Sequence, residues 1–157
     1  MIRNTTKRQK LGWVLFILYL CFLAYFMFFS ESFGRTETDR EYAYNLVLFK
    51  EIGRYFRYYE VLGFGLFMIN IVGNIAAFIP FGFFLPIISK RSRLWYNTVM
   101  FGFIWSLMLE TLQLILRVGS FDVDDMLLNT LGAAAGYLCY RLVQWTRCKL
   151  RKRRLSR

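Results

Sequence analysis

The chain has 157 residues, 57% of them hydrophobic and 20% aromatic, and 21 Lys and Arg against 10 Asp and Glu give it a formal charge of +11. That apolar content lies above the soluble range and reads as a membrane protein. With no histidine anywhere, imidazole metal sites and the usual catalytic triad are excluded.

In chain order, the first apolar run is "LGWVLFILYLCFLAYFMFF", residues 11–29, with no charge. A span needs about 20 apolar residues to cross roughly 30 Å of hydrocarbon. This run exceeds a signal-peptide core and no small-x-small cleavage site follows, so a retained helix is expected. Residues 30–60 form the one sizeable soluble loop, polar and irregular in its first half. Its second half is amphipathic: Ile52, Tyr55, Phe56 and Tyr59 share one sector, while Lys50, Arg54 and Arg57 point the other way. Such a segment can lie flat at the membrane surface or serve as an aromatic belt. A second span is expected from about Ile69 to Ile88, with a lead-in from residue 61, a third from about Trp95 to Leu116, and a fourth from about Asp122 to Trp145.

Charge placement orients these spans. Fifteen of the 21 basic residues precede span 1, join spans 2 and 3, or lie from Arg141 onward. The positive-inside rule then puts both termini in the cytoplasm and the 30–60 loop outside. The expected fold is an all-α integral membrane protein with four transmembrane helices and an outer amphipathic segment between the first two. One domain, residues 1–157, has its core at about 45–140 and ends in a basic cytoplasmic tail, 147–157, that sits against anionic lipid rather than nucleic acid. Of the three cysteines, Cys21 and Cys139 lie in spans and Cys148 in the tail, so no disulfide is expected.

The polar residues within the spans line up. Glu110, Gln113 and Arg117 are spaced i, i+3, i+7 and share a face of span 3. A carboxylate at that depth is expected to face the bundle interior, paired or protonated. Asp122, Asp125, Asn129, Gly132 and Gly136 form one stripe on span 4, and the pair of stripes reads as the lining of a helical hairpin. Asp124 falls off the stripe and is expected to be solvated. Asp122 and Asp125 also suit a helix cap, and Gly132 and Gly136 suit close helix packing. In span 2, Asn70 and Asn74 share a face, Pro80 frees a carbonyl, and Gly82 permits close approach. A shared polar pocket opening outward is expected, although separate structural contacts remain open.

These residues resemble the VanZ-like membrane proteins, a family named for a teicoplanin-resistance protein. The resemblance rests on "GNIAAFIPFG" at 73–82, "ETLQLILR" at 110–117 and "FDVDDMLLNTLGAAAG" at 121–136. It implies that Asn74, Pro80, Gly82, Glu110, Gln113, Arg117, Asp122, Asp125, Asn129, Gly132 and Gly136 are signature residues, with Asn45 of "YNLVLFK" in the family's loop element and Leu48 where proline often stands. It also implies a place in the bacterial cell envelope and a link to reduced susceptibility to lipid-tailed glycopeptides.

Two mechanisms follow. In the first, a non-catalytic protein of the bacterial cytoplasmic membrane binds membrane lipid, a lipid-linked wall precursor or a lipoglycopeptide through Asn45, Asn74, Glu110, Gln113, Arg117, Asp122, Asp125 and Asn129. In the second, Glu110 and Asp125 serve as acid and base of an intramembrane enzyme acting on a lipid headgroup, or hold a hard cation with Asp122. No nucleophile motif, phosphate loop or histidine accompanies them, so the first is favoured and no cofactor, no resident metal and no nucleic acid are expected.

Overall fold

The computed structural model describes residues 7–30, 42–58, 64, 65 and 67–155. Among these, the four apolar runs each become a helix: α1 (Lys7–Ser30), α3 (Met68–Ile88), α4 (Trp95–Leu116) and α5 (Val123–Leu155). A short helix, α2 (Lys50–Arg57), lies between the first two. Two-residue strands β1 (Tyr44–Asn45) and β2 (Phe121–Asp122) pair in parallel, so the fold is otherwise all-helical. α3 and α4 are long and apolar enough to cross a membrane. α5 continues past Trp145, taking most of the basic tail into the helix. The irregular stretch expected at 31–41, and Tyr59 of the amphipathic face, lie outside the described residues.

Side-chain contacts give the helix directions. Ile88 sits against Gly12, and the Tyr19 hydroxyl donates to the Ala77 carbonyl at 2.7 Å, so α1 runs antiparallel to α3. That carbonyl lies in the turn perturbed by Pro80, whose ring cannot continue the helix ladder. α4 runs back along α3, and α5 returns antiparallel to α4 with Ser106 opposite Asn129. The core is aromatic: Phe81 lies 5.6 Å from Phe16, 6.0 Å from Phe78 and 6.4 Å from Trp105 between ring centroids, joining α1, α3 and α4.

The seam between α3 and α5 is made of backbone. A methyl group added at Gly132 would overlap the Ile75 carbonyl, and one at Gly136 the Ile79 carbonyl. Gly82 answers from α3, where a methyl would strike the Ala133 backbone. Small residues at this spacing let two helices approach until their backbones touch, which is how helices associate where lipid supplies no hydrophobic drive.

Burial is inverted relative to a soluble bundle. Thr98, Ser106, Glu110 and Gln113 of α4 are buried, whereas Phe103, Ile104, Leu107 and Ile115 of the same helix are exposed. α1 likewise exposes Val14, Leu18 and Phe22. Soluble monomers rarely leave large contiguous apolar patches facing water.

Candidate functional site at the polar end of the bundle

The sequence around the α4–α5 turn builds the site. α4 stops at Leu116 because Arg117 turns left-handed, φ 54°, with its N–H bonded to the Leu114 carbonyl and that of Val118 to Gln113. These two bonds close a Schellman-type cap. Arg117 therefore leaves the helix face expected to carry it with Glu110 and Gln113; its guanidinium lies over the Tyr42 ring, 4.4 Å from the centroid. The chain then forms β2, whose Phe121 and Asp122 pair with Tyr44 and Asn45 of β1, and α5 begins.

Several polar groups below this turn have a partner on a different element. Glu110, 1% exposed, accepts the Asp122 N–H at 3.0 Å, so a carboxylate of α4 holds the start of α5. Asp122 Oδ1 accepts the Asp124 N–H at 2.8 Å, capping α5, and the Asn45 side-chain amide at 3.1 Å, tying in β1. Asp125 accepts from the Asn74 amide of α3 at 2.6 Å. Asn129 donates to the Ser106 hydroxyl at 2.9 Å and is fully buried.

This geometry corrects the hairpin-lining expectation. The stripe Asp122, Asp125, Asn129, Gly132, Gly136 does not face α4 alone. Asp125 and the two glycines turn to α3, Asn129 turns to α4, and Asp122 turns to β1 and the helix end. An 80° sector on α5 is wide enough to touch both neighbours, which pack on either side of it.

The second correction concerns Asp124, expected to be solvated. It is 0% exposed and accepts three backbone N–H groups at the start of α2: those of Phe49, of Glu51 at 2.8 Å and of Ile52 at 3.1 Å. The local reason is legible after the fact. "VLFKEI" offers no Ser, Thr, Asp or Asn to cap its own helix, so the free N–H groups of α2 need an acceptor from elsewhere. Phe49 takes a left-handed conformation, φ 64°, which turns its N–H toward the carboxylate. A bulky residue there costs on the order of 1–2 kcal/mol, offset by charge-assisted bonds to three donors.

With α2 docked in this way, a cavity of about 320 Å³ lies between it and the α5 start, lined among others by Asn45, Lys50, Arg54, Tyr55, Asn70 and Asp125. Of the expected binding residues, Asn45, Asp122 and Asp125 line it; Asn74, Glu110, Gln113, Arg117 and Asn129 do not, although Asn74 and Glu110 hold Asp125 and Asp122 in place. Lys50 and Arg54, the face of α2 expected to point away from the aromatic sector, turn into the cavity with Tyr55. Arg54 pairs with Glu51 at 2.5 Å and lies over the Tyr55 ring. Asn70 enters from the π-helical turn Met68–Val72 that opens α3, a distortion common beside functional sites.

Burial raises the Tyr55 phenol above its ordinary pKa, opposed by Arg54, so it stays a donor at neutral pH. Burial also raises the Asp122 carboxyl, against the lowering effects of the Asp124 N–H and the Asn45 amide. No group of three or more Asp, Glu or Cys with metal-binding geometry occurs among the described residues. Cys21, Cys139 and Cys148 are free thiols.

No curated protein and no solved structure matches the chain. A family model described as VanZ/LLP1 matches residues 16–144. That stretch contains the Glu110–Asp122 contact, the Asn74–Asp125 pair, the glycine seam and the cavity wall, and on it the chain belongs to the VanZ/LLP1 family.

Proposed function

We propose that this chain is a multi-pass protein of the bacterial cytoplasmic membrane, with α1, α3, α4 and the first part of α5 as four spans and both termini in the cytoplasm. The inverted burial of α4, polar inside and apolar outside, supports the spans. The basic residues at 90–93 and beyond 141 support the orientation. In this setting the 320 Å³ cavity opens on the outer face.

Its role is to hold the polar head of an acyl-tailed molecule: a membrane lipid, a lipid-linked wall precursor or a lipoglycopeptide such as teicoplanin. Binding there lowers the amount of drug free to act at the membrane. The observation that carries this reading is the composition of the cavity wall, where Asp122 and Asp125 share the lining with Lys50 and the side-chain amides of Asn45 and Asn70. Carboxylates suit ammonium and hydroxyl groups, and lysine suits phosphate or carboxylate. Exposed Leu46, Val47 and Leu48 adjoin the cavity on the same loop and offer apolar contact for a tail.

The test is binding of teicoplanin, and of vancomycin as its tail-free counterpart, to the purified protein in nanodiscs. Lys50→Ala and Asp125→Ala are each expected to weaken teicoplanin binding about tenfold or more, the worth of one charge-assisted bond. Equal affinity in wild type and both variants rules the cavity out. In cells, wild type and Glu110→Gln at matched expression should differ in teicoplanin susceptibility and agree for vancomycin; no difference for either drug removes the resistance role.

A further inference from the structure

The charges of this chain are segregated more sharply than the count of basic residues conveys. All ten acidic residues lie at positions 31–60 and 110–125. Residues 1–30, 61–109 and 126–157 contain none, so the bases at the opposite end of the bundle have no carboxylate in those segments to pair with.

That opposite end carries a built groove. The turn Arg91–Arg93 between α3 and α4 is fixed to its neighbours: the Tyr137 hydroxyl donates to the Arg93 carbonyl at 2.8 Å, and the Thr98 hydroxyl to the Ser92 carbonyl at 2.6 Å. Ser92 is fully buried, which anchors the turn from beneath. A cavity of about 510 Å³ lies between this turn and α5, lined by Arg93, Arg141, Gln144, Trp145, Leu138 and Leu142 among others. Neither guanidinium has an acidic partner among the described residues.

Along the helix axis Leu138 lies nearest the bundle centre and Gln144 and Trp145 nearest the basic end, with Arg141 and Leu142 at one level between them on different sides of the helix; Leu138 and Leu142 are exposed. Trp145 has Lys149 over its ring at 4.9 Å. A ligand that satisfies the groove is anionic and bidentate toward guanidinium on one side, and apolar on the side of Leu138 and Leu142.

We propose that this groove is a specific site for an anionic phospholipid, with its phosphodiester held by Arg93, Arg141 and Gln144 and an acyl chain along Leu142 and Leu138. The site is separate from the cavity at the polar end and stands or falls independently of it. Arginine forks match phosphate oxygens, and basic pockets on the cytoplasmic side of spans are suited to such headgroups.

Native mass spectrometry of the full chain, released from detergent with phosphatidylglycerol or phosphatidylcholine added, tests the site. The wild type is expected to retain one phosphatidylglycerol in preference to phosphatidylcholine. Arg93→Gln combined with Arg141→Gln is expected to weaken that retention about ten- to thirtyfold. The tail variant Arg147→Gln with Arg151→Gln, which removes the same charge outside the groove, is expected to leave it within about twofold. Helix content by circular dichroism checks that both variants fold. The proposal is overturned by equal retention of the two lipids, by equal loss in both double variants, or by inorganic phosphate at millimolar concentration displacing the lipid, which would identify a free-phosphate site.

Discussion

α5 is held on its two sides by different balances of two means. Against α3 it presents glycines, and the contact is carbonyl against the place where a side chain would be, with one polar tie from Asp125 to Asn74. Against α4 the polar ties lead, Asn129 to Ser106 and, just before its first turn, Asp122 to Glu110, with one close contact of Ala133 on Gly102. The first seam depends most on the absence of side-chain atoms; the second depends most on its hydrogen bonds. A helix in an apolar medium needs both, because dispersion across a close backbone contact gives affinity while hydrogen bonds fix which residues meet.

The largest expected effect comes from filling the close seam. Gly136→Val drives a β-carbon into the Ile79 carbonyl and adds two methyl groups beyond it, and is expected to cost about 3 kcal/mol or more, the upper end for overpacking. Thermal unfolding in detergent would show it. Leu138→Val on the exposed face should stay within about 0.5 kcal/mol. If the two variants melt alike, the helices are not in backbone contact.

Removing an acceptor at the polar end comes next. Asp124→Ala leaves three N–H groups of α2 without their carboxylate, an expected loss of about 2–3 kcal/mol. The loss is local: amide exchange of residues 49–52 should rise while the α3–α5 core keeps its protection. Uniform loosening of the whole chain would refute a dedicated clamp.

The polar seam is softer at its centre. Asn129→Ala and Ser106→Ala should each cost about 1 kcal/mol, and a double-mutant cycle should return a coupling of similar size. Zero coupling would mean that the 2.9 Å contact contributes only packing.

The smallest effect is a pH slope. Burial raises the folded-state pKa of Asp122 above its unfolded value, so its contribution favours folding below the ordinary carboxylate range and declines as pH rises through the window up to the raised value. Asp122→Asn removes that decline. The melting temperature of the variant, relative to wild type, should therefore increase as pH is raised across that window; a constant difference would argue that the carboxyl is not desolvated.

Much of the fold is written in local chemistry. The run 95–116 matches α4 residue for residue, since an uninterrupted apolar stretch bounded by a basic turn and a polar turn has few other outcomes. Gly132 and Gly136 are recognisable as packing positions because four-residue spacing puts them on one helix face. Asp124 is the counterexample. Its role depends on residues more than seventy positions earlier, and helical periodicity marks which face a side chain occupies without marking what lies opposite. Arg117 fails for the same reason at shorter range, since one left-handed residue takes it off the helix face that spacing assigns.

The sequence by itself determined the number and place of the long apolar helices, the segregation of charge to their ends and the polar residues inside them, because these follow from hydrophobic run length and the cost of burying charge. Tertiary structure alone decided that α5 is shared between α3 and α4, that β1 and α2 dock on its first turn, and that Lys50, Asn70 and Asp125 meet around one cavity. Those contacts join residues distant in the chain, and their partners are fixed by which helices pack as neighbours.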